Sequence, residues 1–334
     1  MGQGQIFTKM QYAAEDSAYG TEGGTYTEMF RVQSGVLNSN NGFIYDYDLG
    51  SGQNAQDTLY GPFVASGNVG FNVVDFDFLK HFIGNKSGAG TVGDKYTLTE
   101  ATEITADSSG AGILQPFSIE VKNDDVSNTV EFATGCVGLS FTLSGSIGSK
   151  LECAANFAAQ KTHFRTTGQT YTPTTDSTLI MINGTWKWGA TPSTLTGVQS
   201  FTITYDNGIN PEANRDISSR FIGIPHFGTR SYKFRVGILM AANLSTTIIN
   251  DYYGSESSGT YSPNDASTTV HPTAGLEFSI DFINGSKYAS VNLDECSIDK
   301  ISKPKQLGNG LVILTFEGTS REGKDNTPIK WWEV

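Results

Sequence analysis

Histidine and cysteine are scarce in this chain, and their scarcity removes several classes of chemistry. Four histidines and three cysteines are spread over 334 residues. Cys136, Cys153 and Cys296 lie far apart with no C-x-x-C, which excludes a zinc ribbon and a disulfide-stapled scaffold and leaves them as small buried hydrophobes. His81, His163, His226 and His271 form no H-x-x-x-H and have no cysteine at ligand spacing, so they read as ordinary core or surface residues. Long apolar runs are missing too: nothing approaches the roughly 18 to 20 residues of a membrane span. Met1-Gly2-Gln3-Gly4-Gln5-Ile6-Phe7 lacks the apolar core of a signal peptide, and Ile6 stands where myristoylation expects Ser or Thr. The expectation is a protein made in the cytoplasm, with no membrane partner. Positive charge is also in short supply. Lys and Arg number 22 against 34 Asp and Glu, a net charge of -12, which speaks against a surface built to grip a phosphate backbone. Residues 1–166 carry 18 acids and 9 bases, and the remainder 16 and 13, so the first half holds most of the excess.

What is present is glycine, 38 of them, with recurrent Ser and Thr and short apolar runs. Gly67–Phe76, Phe117–Val121, Leu139–Leu143, Phe201–Tyr205, Tyr232–Leu239 and Leu311–Phe316 are rich in β-branched or aromatic residues. Several alternate apolar with polar, the pattern of half-buried antiparallel strands. Asp77–Ile83 and Leu244–Tyr253 break it, each ending at a glycine, Gly84 or Gly254, and each predicts one short helix packed on a sheet. Asn85–Asp94 and Ser255–Thr269, which follow them, are Gly, Ser, Asn and Asp rich and predict exposed loops suited to contacting a neighbouring subunit.

The order of these features occurs twice. Phe117-Ser118-Ile119-Glu120 matches Phe278-Ser279-Ile280-Asp281, Gly135-Cys136 matches Glu295-Cys296, and Asn156-Phe157 matches Thr315-Phe316, at offsets of 161, 160 and 159. The strand, helix and glycine ending at Gly84 and Gly254 repeat at 170. The predicted organisation is two tandem β-rich domains, 1–168 and 169–334, meeting in the Thr-rich stretch Thr166–Ser177.

No candidate catalytic, cofactor or metal site survives inspection. Asp46-Tyr47-Asp48-Leu49-Gly50-Ser51-Gly52, with Asp57 beyond it, fails the calcium-loop pattern at its fifth and sixth positions and reads as a turn after an aromatic-rich strand. Gly145-Ser146-Ile147-Gly148-Ser149-Lys150 lacks phosphate-loop spacing and reads as a hairpin tip. Asp124-Asp125 sits beside Asn123 and Ser127 in a solvated turn. There is no G-x-S-x-G elbow. Trp186 and Trp188 alternate on one strand and share a face; with Trp331 and Trp332 they could stack sugars, but a core or interface anchor is the simpler reading. No enzyme is expected, and no cofactor.

Tyr12-Ala13-Ala14-Glu15-Asp16-Ser17-Ala18-Tyr19-Gly20-Thr21 resembles the E-x-x-x-Y-G-T opening of the tail tube (major tail) proteins of long-tailed bacteriophages and related viruses, in their two-domain form. Gly135–Phe157, Glu295–Phe316 and Phe201–Asn207 are similar to strands of that family's tube domains. The second copy departs at Lys300–Lys305, where the first has Ser140–Gly145. The resemblance implies a mainly β fold, two antiparallel β-sandwiches each with one short helix, whose inner sheets join neighbours into a closed β-barrel. It implies rings of six tube domains, hence three chains, stacked into a hollow tail tube through which DNA is ejected without specific binding. Implied partners are further copies of the chain, the tape measure protein, the tail terminator and the distal tail protein; the implied location is the virion tail. An acidic wall would let DNA slide. The competing readings are a surface or carbohydrate-binding sandwich, as in a receptor-binding or decoration protein, and a head-completion protein.

Overall fold

The computed structural model describes residues 8–28, 31–46, 57–105, 112–123, 130–171, 177–181, 184–189, 191–215, 219–239, 248, 251–252, 276–284, 287–306, 312–323 and 328–333. The protein is mainly β. In the first half the strands are β1 (Thr8–Ala14), β2 (Thr27–Glu28), β3 (Arg31–Asn40), β4 (Phe43–Asp46), β5 (Asp57–Tyr60), β6 (Val64–Asn72), β7 (Lys86–Ser87), β8 (Tyr96–Leu98), β9 (Glu103–Ile104), β10 (Ile113–Leu114), β11 (Phe117–Asn123), β12 (Val130–Ser146), β13 (Glu152–Ala159) and β14 (Lys161–Arg165). The second half contributes β15 (Gly184–Gly189), β16 (Ser193–Leu195), β17 (Val198–Asp206), β18 (Ser231–Leu239), β19 (Glu277–Asn284), β20 (Lys287–Gln306), β21 (Val312–Gly323) and β22 (Ile329–Glu333).

Each half has two layers, and one long strand belongs to both. The first part of β12 lies between β11 and β14 in an outer layer; its remainder passes into an inner layer against β13, followed by β6 and β3. β20 does the same, running first between β19 and β22 and then along β21, followed by β18 and β17. Alternation explains the layering. Along β6 the residues Ala65, Val69 and Phe71 are buried while Val64, Ser66 and Asn68 are exposed, so one face meets the core and the other does not. The layers are joined by aromatic contacts: Phe117 of the outer layer meets Phe157 of the inner with ring centroids 5.4 Å apart, and Trp188 meets Phe234 at 5.6 Å.

The segment Asp77–His81 is a single 3-10 turn rather than the longer helix expected over Asp77–Ile83. Its aromatic residues, Phe76, Phe78 and Phe82, are all buried, so tertiary packing shapes a segment too short to nucleate an α-helix. Most of Leu244–Tyr253, and the loop Ser255–Thr269, lie outside the described residues. The loop Asn85–Asp94 carries β7, which pairs with β8, and Lys86 lies over the Trp331 ring at 5.3 Å; β8 in turn extends the second half's outer layer through β22.

Strand register corrects two of the sequence matches. Gly135-Cys136 and Glu295-Cys296 do occupy equivalent places, each pair leading into the inner layer, and Gly135 and Glu295 share a left-handed φ of 64° and 48°. From there Ile119, opposite Ala133, corresponds to Phe278, opposite Leu293, so the Phe117/Phe278 match is two residues out. Ala155, not Phe157, is likewise the counterpart of Phe316, because they face Phe141 and Ile301. A two-residue slip keeps every side chain on its own face, which is why the sequence alone did not betray it. Lys300–Lys305, the stretch where the second half's sequence departs from the expected repeat, continues β20: Lys300 faces Glu317, Ile301 faces Phe316 and Ser302 faces Thr315.

Candidate assembly interface

The inner layers of the two halves form one continuous sheet. β12 pairs with β17 over seven residues, from Ser140 opposite Asp206 to Ser146 opposite Ser200. The resulting order, β3-β6-β13-β12-β17-β18-β21-β20, is antiparallel throughout. At this internal seam Phe141 and Tyr205 pack on the core side with ring centroids 5.2 Å apart, and the hydroxyls of Thr142 and Thr204 lie 3.2 Å apart on the open side. Asn207, fully buried just beyond β17, closes the seam: its backbone N–H donates to the Leu139 carbonyl at 3.1 Å and its side-chain amide donates to the Gly138 carbonyl.

The sheet ends on two edges. Among the described residues neither β3 nor the Lys300–Gln306 part of β20 has a second strand beside it. Unpaired edges expose rows of N–H and C=O groups and template further pairing unless they are blunted. Here they are blunted unequally. β20 has lysines at 300, 303 and 305, Pro304 with no N–H to offer, and register shifts on both sides of Lys300–Ser302. From Val32 to Gly42 the β3 edge has no charged residue.

The open face of this sheet is rich in hydroxyls and amides. In the first half it presents Ser34, Val36, Asn38, Ser66, Asn68, Ser140, Thr142, Ala154 and Asn156, and Glu152 is its charged residue among those described. In the second half Lys233, Arg235 and Lys300 stand among Thr202, Thr204 and Thr319 together with two acids, Asp206 opposite Ser140 and Asp299, which accepts from the Thr319 hydroxyl, while Glu317 bridges Arg235 at 3.4 Å and Lys300 at 3.8 Å. Charges are sparse on the first half of this face and mixed in sign on the second, so the acidic excess of the chain is not gathered there. A shallow depression of about 310 Å³ lies over Thr202, Lys233, Arg235 and Glu317.

A two-stranded hairpin projects beside the β3 edge. β4 pairs with β5, and Phe43, Ile44, Tyr45, Leu59 and Tyr60 are between 47% and 71% exposed. That apolar exposure is clustered rather than scattered, as exposed contact surfaces are. The base of the hairpin is tied to the second half: Arg215 donates to the Phe63 carbonyl, and Arg220 donates to Asn41 and lies over the Tyr60 ring.

The E-x-x-x-Y-G-T stretch is structural. Glu15 is fully buried, and its carboxylate accepts from the Gly20 N–H at 2.8 Å, the Ser118 hydroxyl at 2.8 Å and the Gly135 N–H at 2.6 Å. It thus pins the amino-terminal turn to the residue where β12 leaves one layer for the other. Burial raises its pKa to about 7 against the pull of those three donors. Gly20 and Gly135 are both left-handed, and a Cβ on Gly135 would stand 2.6 Å from that of Gln160, so glycine is required there.

Other residues singled out in the sequence do not converge. His81 is buried among Tyr12, Phe78 and Phe117, with Nδ1 2.8 Å from the Gln115 carbonyl, and burial and nearby Lys80 lower its pKa to about 3. His163 stacks on Phe132 and His226 is exposed; His271 lies outside the described residues. The three cysteines are buried and unpaired. Trp186, Trp188 and Trp331 are buried, so they form no sugar platform. The Asp46–Asp57 run has only its two ends among the described residues, where they pair in the hairpin. Gly145–Lys150 turns β12 into β13 with Gly148 left-handed, a hairpin tip as expected. Among the described residues no three His, Cys, Asp or Glu side chains gather to hold a metal.

The signal the sequence reading missed lies in β3 and β17. Val32–Gly42 and Val198–Gly208 share Val-Gln-Ser at one end and Asn-Gly at the other, five identities in eleven positions. No curated protein matches the chain. A family model described as "phage tail tube protein" matches residues 8–320, nearly the whole length, and the chain belongs to that family.

Proposed function

We propose that the protein is a tail tube subunit made of two tandem tube domains, 1–168 and 169–334, and that three chains close into a ring. The observation that carries this reading is the internal seam, where two four-stranded inner layers already join edge to edge and leave one edge free at each end. Repeating that junction between chains satisfies both edges, and strands tilted round an axis close into a barrel. Since the two edges are unlike, the contact is head to tail, and such a contact closes into a ring when the turn per chain is one third of a circle.

The open face then lines the channel. Its hydroxyls and amides predominate in the first half, and in the second Lys233, Arg235 and Lys300 are interspersed with Asp206, Asp299 and Glu317, so it offers DNA no unbroken positive patch to bind, which suits a conduit for ejection. The exposed hairpin of β4 and β5 suits burial against the ring above or below, which turns rings into a tube and excludes its apolar residues from water. Tape measure, terminator and distal tail proteins would meet the lumen and the two ends of such a tube. The sugar-binding alternative loses support because three of the tryptophans that suggested it, Trp186, Trp188 and Trp331, are buried.

Electron microscopy of the purified protein tests the reading. Tubes or stacked rings are expected at high concentration; a monomer that neither rings nor stacks under any condition tried would contradict it.

A further inference from the structure

We infer that the seam between neighbouring chains repeats the internal seam in register, with Asn38 of one chain facing Ser302 of the next. The inference rests on the ring reading above and adds to it which residues meet.

The argument is a translation of one strand pair onto another. β3 and β17 are equivalent in detail. Each is interrupted by a register shift at its glutamine, between Val32 and Ser34 in one and between Val198 and Ser200 in the other. Each ends in the same turn: the Gly42 N–H donates to the Asn40 side chain at 2.9 Å, and the Gly208 N–H to the Asp206 side chain at 2.8 Å. Both glycines are left-handed, with φ of 50° and 66°. β12 and β20 are equally alike. Each carries a left-handed residue, then a buried cysteine, then a register shift, between Gly138 and Ser140 and between Ile298 and Lys300. Bulges fix which side chains point to which face, so matched bulges fix a matched register.

In the internal seam Ser140 faces Asp206, Phe141 faces Tyr205 and Thr142 faces Thr204. Replacing β12 by β20 and β17 by β3 puts Lys300 opposite Asn40, Ile301 opposite Ser39, and Ser302 opposite Asn38 of the neighbour. The anchor beyond the strand translates as well. Asn207 holds the Gly138 and Leu139 carbonyls, and its counterpart Asn41, exposed in the single chain, meets Ile298 and Asp299 of the neighbour.

The chemistry of the two seams differs in the direction assembly requires. The aromatic pair Phe141 and Tyr205 becomes Ile301 and Ser39, a lighter contact that two separately folded chains can make or leave. Lysines at 300, 303 and 305 set two β20 edges against each other by like charge, whereas the β3 edge, uncharged from Val32 to Gly42, meets them without repulsion. β20 therefore accepts β3 and rejects another β20.

A chain carrying Asn38→Cys and Ser302→Cys, assembled and then oxidised, is expected to give a ladder of linked chains on a denaturing gel, because directly opposed positions bring Cβ atoms within disulfide reach. Val36→Cys with Ser302→Cys, displaced by two residues, is expected to stay unlinked, and Thr142→Cys with Thr204→Cys to close within one chain. If rings are seen but only the displaced pair links, or neither pair does, the register is wrong while the ring reading stands. If no ring or tube forms from the unmodified chain, the ring reading fails and the register with it. Should the cysteine variants not fold, Asn41→Ala serves instead: a folded monomer with at least tenfold weaker assembly is expected, and unimpaired assembly would overturn the inference.

Discussion

Val198–Gly208 and Val32–Gly42 adopt the same strand, bulge and turn, yet the first is enclosed between β12 and β18 while the second, among the described residues, has β6 on one side only. Their sequences follow the difference. Where the strand is enclosed it carries Phe201, Ile203 and Tyr205 toward the core; at the edge the same positions hold Gly35, Leu37 and Ser39. The comparison teaches that one strand design is filled with core aromatics where it is enclosed and left small and polar where it borders the edge, as a junction that folds within the chain and, on the proposed reading, reforms between chains would require.

Core truncation should separate the two most strongly. Phe141→Ala opens a cavity in the buried seam and is expected to cost about 3–5 kcal/mol of folding stability. Its edge counterpart, Ile301→Ala, is only half-buried and should cost about 1 kcal/mol. Denaturant titration of both variants reads the contrast, and equal losses would break it.

Glu15 sharpens the comparison from the other side, because it braces Gly135 in the first half. Its pKa of about 7 lies above the unfolded value near 4.5, so folding favours the protonated acid. The stabilisation is full below about pH 4.5 and is lost as pH rises through 7, worth about 3 kcal/mol over that window. Glu15→Gln should flatten this part of the stability profile. His81 acts in the opposite sense: its lowered pKa means stability present above about 6.5 is lost as pH falls toward 3. The difference between Glu15→Gln and the parent chain, not the raw profile, is therefore the quantity to measure.

Asn207→Ala leaves the Gly138 carbonyl short of a buried donor and should cost about 2 kcal/mol of folding stability. Asn41→Ala, at the exposed counterpart, should stay within about 0.5 kcal/mol by thermal melting. The smallest contrast is at the left-handed pair. Glu295→Gly relieves a conformation costly for a side chain and should stabilise by about 1 kcal/mol, whereas Gly135→Ala meets Gln160 and should destabilise.

Alternating short strands made the β class legible in the sequence, and Gly135-Cys136 with Glu295-Cys296 marked the point where each long strand changes layer. The Phe117/Phe278 and Phe157/Phe316 matches were displaced by two residues because period-two patterning is blind to such a slip. The matching ends of β3 and β17 were visible as Val-Gln-Ser and Asn-Gly, but both are turn-forming and polar, and nothing local says that they frame a strand edge. Glu15 was noticed only as part of a motif, since three donors contributed by Gly20, Ser118 and Gly135 come together through folding alone. The mixed charge of the open face was not legible, because net charge carries no information on which face its acids occupy.

Counting chains per ring in assembled material, by mass measurement of isolated rings or by symmetry in averaged images, tests the central claim most directly. Three chains presenting six similar inner layers are the result expected. Six chains to a ring would contradict it, for twelve inner layers rather than six would then have to close the barrel.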